Sequence, residues 1–302
     1  MDAVRRIADA VLYEGYILWP YRKSALKNQQ RIGFGTLHPA GFNQTECLVE
    51  VRERASVDVT VRFLQVVERQ LWRGGTPVDE LEVGGELHQS WEEAVEREFH
   101  FVFDMRSTTR VPVEVEAGMT GEELGDGCSV QRSWRALHGG VEMSAERLRP
   151  GLLRLRVRTE NHSPAADFRS AHTVLVARGG AFVSLTDPPP ELRAEGEACE
   201  NVGLWPVLAG EEGERSTVLA SPIILPDHPR IAPESPGDLF DATEIDQMLV
   251  LNILSLTDEE KREMRSADPR AQEILERTES LSEEELMRLH GTIREFGLAR
   301  RP

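Results

Sequence analysis

The sequence predicts a β-rich α+β protein: an antiparallel β-sandwich-like body, preceded by a short N-terminal helix and followed by a C-terminal helical appendage. Three observations predict this. Apolar residues recur at helical spacing over residues 2–13, the hydrophobic period changes to two from Glu46, and it becomes helical again from Asp241. The chain divides accordingly into a helix and basic segment (1–45), the body (46–225), and an acidic loop with a helical tail (226–302).

The first helix places Val4, Ile7, Ala8, Val11 and Leu12 on one face, and Gly15 suits its end. Tyr16 to Trp19 form an apolar patch closed by Pro20. Arg22, Lys23, Lys27 and Arg31 follow in a distinctly basic stretch of an otherwise acidic chain. That stretch reads as a solvated face or as a docking patch for an acidic partner.

In the body, Val57, Val59, Val61 and Phe63 alternate with Asp58, Thr60 and Arg62. Phe99, Phe101 and Phe103, then Val111, Val113 and Val115, then Leu153, Leu155 and Val157 repeat the pattern. One apolar and one wet face is expected of antiparallel strands packed on one side. Residues 172–178, 181–186 and 217–224 are further expected strands, and Gly179-Gly180 between the first two suits a hairpin turn. Pro188 to Pro190 and residues 194–213 read as loops or connections. The pairs Glu92-Glu93 and Glu122-Glu123 fall outside the strand patterns and read as solvated.

The tail carries capping-box pairs at Asp241/Glu244, Thr257/Glu260 and Ser282/Glu285, and Asp268-Pro269 places a cap before proline at a first helical position. Helices are expected near 242–254, 258–266, 269–279 and 283–296. Leu249, Leu251, Ile253 and Leu254 are expected to pack on the body.

The chain has 302 residues, and its formal net charge of −17 argues against a general nucleic-acid binder, which needs clustered cations for phosphate. Three separated cysteines, Cys47, Cys128 and Cys199, form neither a disulfide framework nor the four-cysteine set of an iron–sulfur cluster. The N-terminus is interrupted by Asp2, Asp9 and Glu14 and does not read as a signal peptide. No segment reaches the roughly 18 apolar residues of a membrane span. A cytoplasmic protein without a membrane span is expected.

Chemistry-bearing motifs are sparse. Nucleophile elbows, phosphate loops and dinucleotide fingerprints are missing. The densest polar stretch, residues 227–246, holds Asp227, His228, Glu234, Asp238, Asp241, Glu244 and Asp246, with Asp227 and His228 the first candidates for a metal. It also reads as an ordered loop, because it is proline-rich and lacks a recognised ligand spacing. The eight histidines never pair at ligand spacing and read as hydrogen-bonded structural groups. No catalytic residue and no cofactor are assigned.

Two segments, VLYEGYILWPYRKSALKNQQRIGFG at 11–35 and LASPIILPDHPRIAPESPGDLFDATEIDQMLVLNILSLTDEEKREMRSADPRAQEILERTESLSEEELMRLHGTIREF at 219–296, resemble a family of uncharacterised accessory proteins. These are encoded in gene clusters of high-affinity, oxygen-tolerant NiFe hydrogenases of actinobacteria and other soil bacteria. HTVLVARGGAFVSLTDPP at 172–189 is a weaker echo. The resemblance implies a non-enzymatic role in assembly, maturation or scaffolding of an uptake hydrogenase, with its subunits or maturation factors as partners. It transfers no catalytic residues. The alternative is a metal-dependent hydrolase or metal carrier using residues 227–246.

Overall fold

One strand organises the fold. Alternation of β-branched and aromatic residues with polar ones through Val57, Val59, Val61 and Phe63 suits a pleated surface. In the computed structural model, which describes residues 2–14, 34–230, 246–267 and 269–282, this run is the middle of strand β1 (Phe42–Arg73), 32 residues long. A usual strand has roughly 5–6 residues. The extra length lets β1 take several antiparallel partners in succession. Its start pairs with β10 (Leu152–Asn161). Its middle lies between β11 (Arg169–Phe182) and β5 (Trp91–Phe103). Its end meets β8 (Cys128–Trp134) and β2 (Thr76–Val78).

Strands β6 (Thr109–Val115), β7 (Gly118–Gly125), β9 (Leu137–Arg149), β12 (Trp205–Ala209) and β13 (Thr217–Ser221) complete an 11-stranded sheet whose main path runs β12-β13-β11-β1-β10-β9-β6. Strands β3 (Glu80–Val83) and β4 (Glu86–Gln89) form a separate hairpin. The predicted antiparallel body is therefore one curled sheet. Its apolar face forms the main core, where Val57, Val59, Val61 and Phe63 join Val141, Met143, Leu155, Val157 and Leu175. Phe63 stacks on Phe168 with ring centroids 4.3 Å apart. Pro112, which cannot donate to a ladder, sits in β6 at the end of the sheet path, where its missing donor costs least.

The β1–β11 register shifts between Val51 and Ser56 and again between Arg62 and Leu64. Such irregularities bend a strand and increase its twist. Gly179, at φ 75°, and Gly180 lie opposite the first shift, within an uninterrupted β11. The expected hairpin at this pair is thus corrected. A Cβ at Gly180 would lie 2.9 Å from the carbonyl oxygen of Glu50, so glycine here permits a close backbone approach and not a turn.

Helix α1 (Asp2–Tyr13) buries the predicted face. Val4, Ile7, Ala8 and Val11 pack on Val207, Ala209 and Leu219 of β12 and β13. Strand β12 was hidden in a stretch that reads as loop, because five residues bounded by Gly203 and Gly210 and containing Pro206 show little period. Helix α2 (Arg193–Glu197) is a single short turn in the same stretch. In the tail, α3 (Asp246–Leu254), α4 (Asp258–Ala267) and α5 (Pro269–Glu279) match three expected helices. The Thr257/Glu260 box is formed: Thr257 N–H donates to Glu260 Oε2 at 2.9 Å and Glu260 N–H to Thr257 Oγ1 at 3.2 Å. The Asp241/Glu244 pair, Glu285 and the expected helix at 283–296 lie outside the described residues, as do Gly15 and Asp268. No described helix is long and apolar enough to cross a membrane.

Leu12 and Tyr13 of α1 meet Leu64 of β1 and Leu249, Val250, Ile253, Met264, Ile274 and Leu275 of the tail in one apolar cluster. Leu251 faces out instead. These helices cover the outer face of β1 at Arg62 and Leu64, which corrects its expected wetness: Arg62 is buried beneath α1, and Asp58, also buried, pairs with Arg178 of β11. Period two distinguishes two faces; it does not say whether a further layer covers the polar one.

Gly180→Ala is expected to lower unfolding free energy by about 1–3 kcal/mol. Gly121→Ala in β7, where a Cβ meets nothing nearer than 3.9 Å, should stay within about 0.5 kcal/mol of wild type. Urea denaturation of both proteins checks this, and equal effects would contradict the close-approach reading.

Candidate functional site: a charged junction and an arginine-lined cleft

Among the sequence-predicted site residues, Arg22, Lys23, Lys27 and Arg31 lie outside the described residues, as do Glu234, Asp238, Asp241 and Glu244. Asp227 accepts a hydrogen bond from Ser184 Oγ at 2.5 Å and another from the Leu208 backbone N–H at 2.8 Å. The His228 backbone N–H donates to Leu208 O at 2.7 Å, with His228 at φ 53°. These two residues fasten the loop after β13 to β12. Among the described residues, no group of three or more His, Cys, Asp or Glu is placed to hold a metal ion.

The structure instead gathers charge on the outer face of β1. Arg62 is 3% exposed. Its guanidinium donates to Asp9 of α1 and contacts Glu96 Oε2 at 3.4 Å and Glu98 Oε2 at 3.3 Å, both on β5. Glu96 Oε1 also accepts from Tyr13 Oη at 2.9 Å and from Arg270 Nη2 of α5 at 2.9 Å. The Arg270 guanidinium lies 4.7 Å from the Tyr13 ring centroid, a cation–π contact. One carboxylate thus joins α1, β1, β5 and α5. Burial alone would discourage ionisation of Glu96. The hydrogen bonds from Tyr13 and Arg270, with the Arg62 and Arg270 charges, outweigh it and hold the carboxyl below its usual range. Burial and the Glu96 charge push the Tyr13 phenol upward.

Other reactive groups are sequestered. His172, the cross-strand partner of Arg62, is fully buried with Nδ1 at 2.9 Å from Ser170 O. Burial lowers its pKa to about 4, and the Arg62 charge acts in the same direction. The cysteines are free thiols, and burial pushes Cys47 to about 12 and Cys199 to about 11. Neither is an activated nucleophile.

Beside the junction, a cleft of about 380 Å³ opens between the β3–β4 hairpin, the β5–β1–β8 surface and helices α4 and α5. Arg262, Arg265 and Ser266 line its helical wall from one face of α4, and Pro269 lines it from the start of α5. Arg69 and Arg132 line the sheet wall and grip Glu93 between them, at 3.4 and 2.8 Å. Glu93 is buried, correcting its expected solvation, because the tail covers that part of β5. Glu122 and Glu123 are exposed as expected, although they lie within β7. Burial and the nearby Arg69 charge lower the pKa of His88, which also lines the cleft. Arg262 and Arg265 were visible in the tail sequence at i, i+3. Their meeting with Arg69 and Arg132 depends on tertiary packing that no local pattern encodes.

Comparison with protein-family models and with curated proteins finds no match to this chain.

Lowered folded-state pKa values mean that protons favour unfolding. The His172 contribution is full above its ordinary 6.5 and is lost as pH falls toward about 4. Its maximum is about 3 kcal/mol. The Glu96 contribution is full above its ordinary 4.5 and is lost at lower pH. His172→Gln should therefore flatten the stability profile between pH 6.5 and 4.5, measured by urea unfolding at stepped pH, while leaving the more acidic limb. An unchanged slope between those values would contradict this assignment.

Proposed function

We propose that this chain is a non-enzymatic accessory protein of a NiFe uptake hydrogenase system, acting in the cytoplasm through protein–protein contacts in assembly, maturation or scaffolding. The reading rests on the resemblance of residues 11–35 and 219–296 to proteins encoded in such gene clusters. The observation that carries it further is that described residues of the two segments, over 200 positions apart in sequence, touch in space. Leu12 and Tyr13 pack with Leu249, Val250 and Ile253, and Tyr13 stacks under Arg270.

A surface for protein contact supports the same reading. Strand β5 pairs with β1 along one edge, and among the described residues no strand pairs with the other. Val95 and Val102 of β5 are exposed. Open strand edges with exposed apolar side chains suit strand addition by a partner. The formal charge of −17 favours basic partner surfaces over nucleic acid.

Affinity purification of the tagged protein from its own host, under hydrogenase-inducing conditions, tests the proposal. Mass spectrometry is expected to find a hydrogenase subunit or maturation factor enriched over an untagged control. A preparation without either would overturn the hydrogenase assignment.

A further inference from the structure

We propose that the arginine-lined cleft is a binding site for a small phosphate-bearing molecule. The inference goes beyond the accessory role and is argued from the geometry of the cleft, not from the resemblance.

Four guanidinium groups line the cleft: Arg69, Arg132, Arg262 and Arg265. Two carboxylates, Glu86 and Glu93, line it with them. In a chain of net charge −17, this gathers four guanidinium groups at one concave site. Glu93 occupies part of Arg69 and Arg132, and Glu122 contacts Arg132 from the exposed side at 3.3 Å. Arg265 pairs with Glu279 at 2.7 Å. Arg262 makes no hydrogen bond or ion pair among the described residues, although it lines the same cleft. The carboxylates of the described residues therefore leave the exposed Arg262 guanidinium unspent.

The chemistry of those donors selects the ligand. Guanidinium presents a planar fork of N–H groups that matches phosphate and carboxylate oxygens. A carboxylate offers two oxygens and one charge. A phosphate monoester offers three acceptor oxygens and nearly two charges at neutral pH, which matches several convergent arginines. The N-terminal end of α5, at Pro269, lines the same wall and adds the favourable end of a helix dipole. Leu87 and Pro269 supply apolar lining for the remainder of the molecule. The volume of about 380 Å³ falls in the range of roughly 300–1,000 Å³ typical of small-molecule sites.

The test uses the full chain and inorganic pyrophosphate, titrated calorimetrically at constant ionic strength against chloride. Saturable binding is expected, with Arg262→Gln about tenfold weaker, the loss of one charge-assisted contact. Arg262 has no partner among the described residues, so its replacement should leave the melting temperature of the free protein unchanged. Arg230→Gln removes an exposed arginine outside the cleft and should bind as wild type does. No saturable heat with wild type would overturn the site. Equal affinity of wild type and Arg262→Gln would overturn its placement in this cleft, and equal affinity for malonate would overturn the assignment to phosphate.

Discussion

The buried guanidinium of Arg62 is the constraint on which the outer layer of this protein depends. A charge taken out of water costs several kcal/mol unless opposite charges and hydrogen bonds replace its hydration. Arg62 obtains them from Asp9 on α1 and from Glu96 and Glu98 on β5. Glu96 in turn is shared with Tyr13 and Arg270. Neither helix can leave without stranding charge on β1 or β5. Apolar burial supplies much of the adhesion through Leu12, Leu64, Leu249 and Ile274, but that attraction is non-directional. The ion and hydrogen-bond network supplies direction, fixing which helix lies over which strand.

This arrangement changes the meaning of the terminal segments. As sequence, they look like an entry helix and an appendage on a finished body. As structure, they form the second layer over one face of a curled sheet, and they wall one side of the arginine cleft. Arg262 and Arg265 come from α4, whereas Arg69 and Arg132 come from the sheet. The tail supplies one wall of the cleft, and its α5 is also held by the Arg270–Glu96 contact of the Arg62 junction.

Much of the fold was legible because local periods report which residues share a face. The α1 face through Val4, Ile7, Ala8 and Val11 and the Thr257/Glu260 cap follow from spacing alone. What was not legible depends on contacts distant in sequence. Arg62 looks like any polar residue in an alternating strand until a helix covers it. Gly179-Gly180 has the composition of a hairpin turn, yet the same residue type serves a bulged strand where backbones approach closely. Glu93 lies within a strand whose alternation is broken by charged residues, and its partners Arg69 and Arg132 are brought to it only by sheet pairing. Asp227 and His228 were found by composition, and the carboxylate proves to be occupied by Ser184 and Leu208, which composition could not foretell.

The coupling of both ends of the chain through one buried cation is the central claim. Hydrogen–deuterium exchange of Arg62→Met against wild type, read by peptide, measures it most directly. The junction predicts that α1 and α5 lose protection together, while β9 and β10 on the far part of the sheet keep theirs. Loss of protection in one helix alone, or unchanged protection in both, would contradict it.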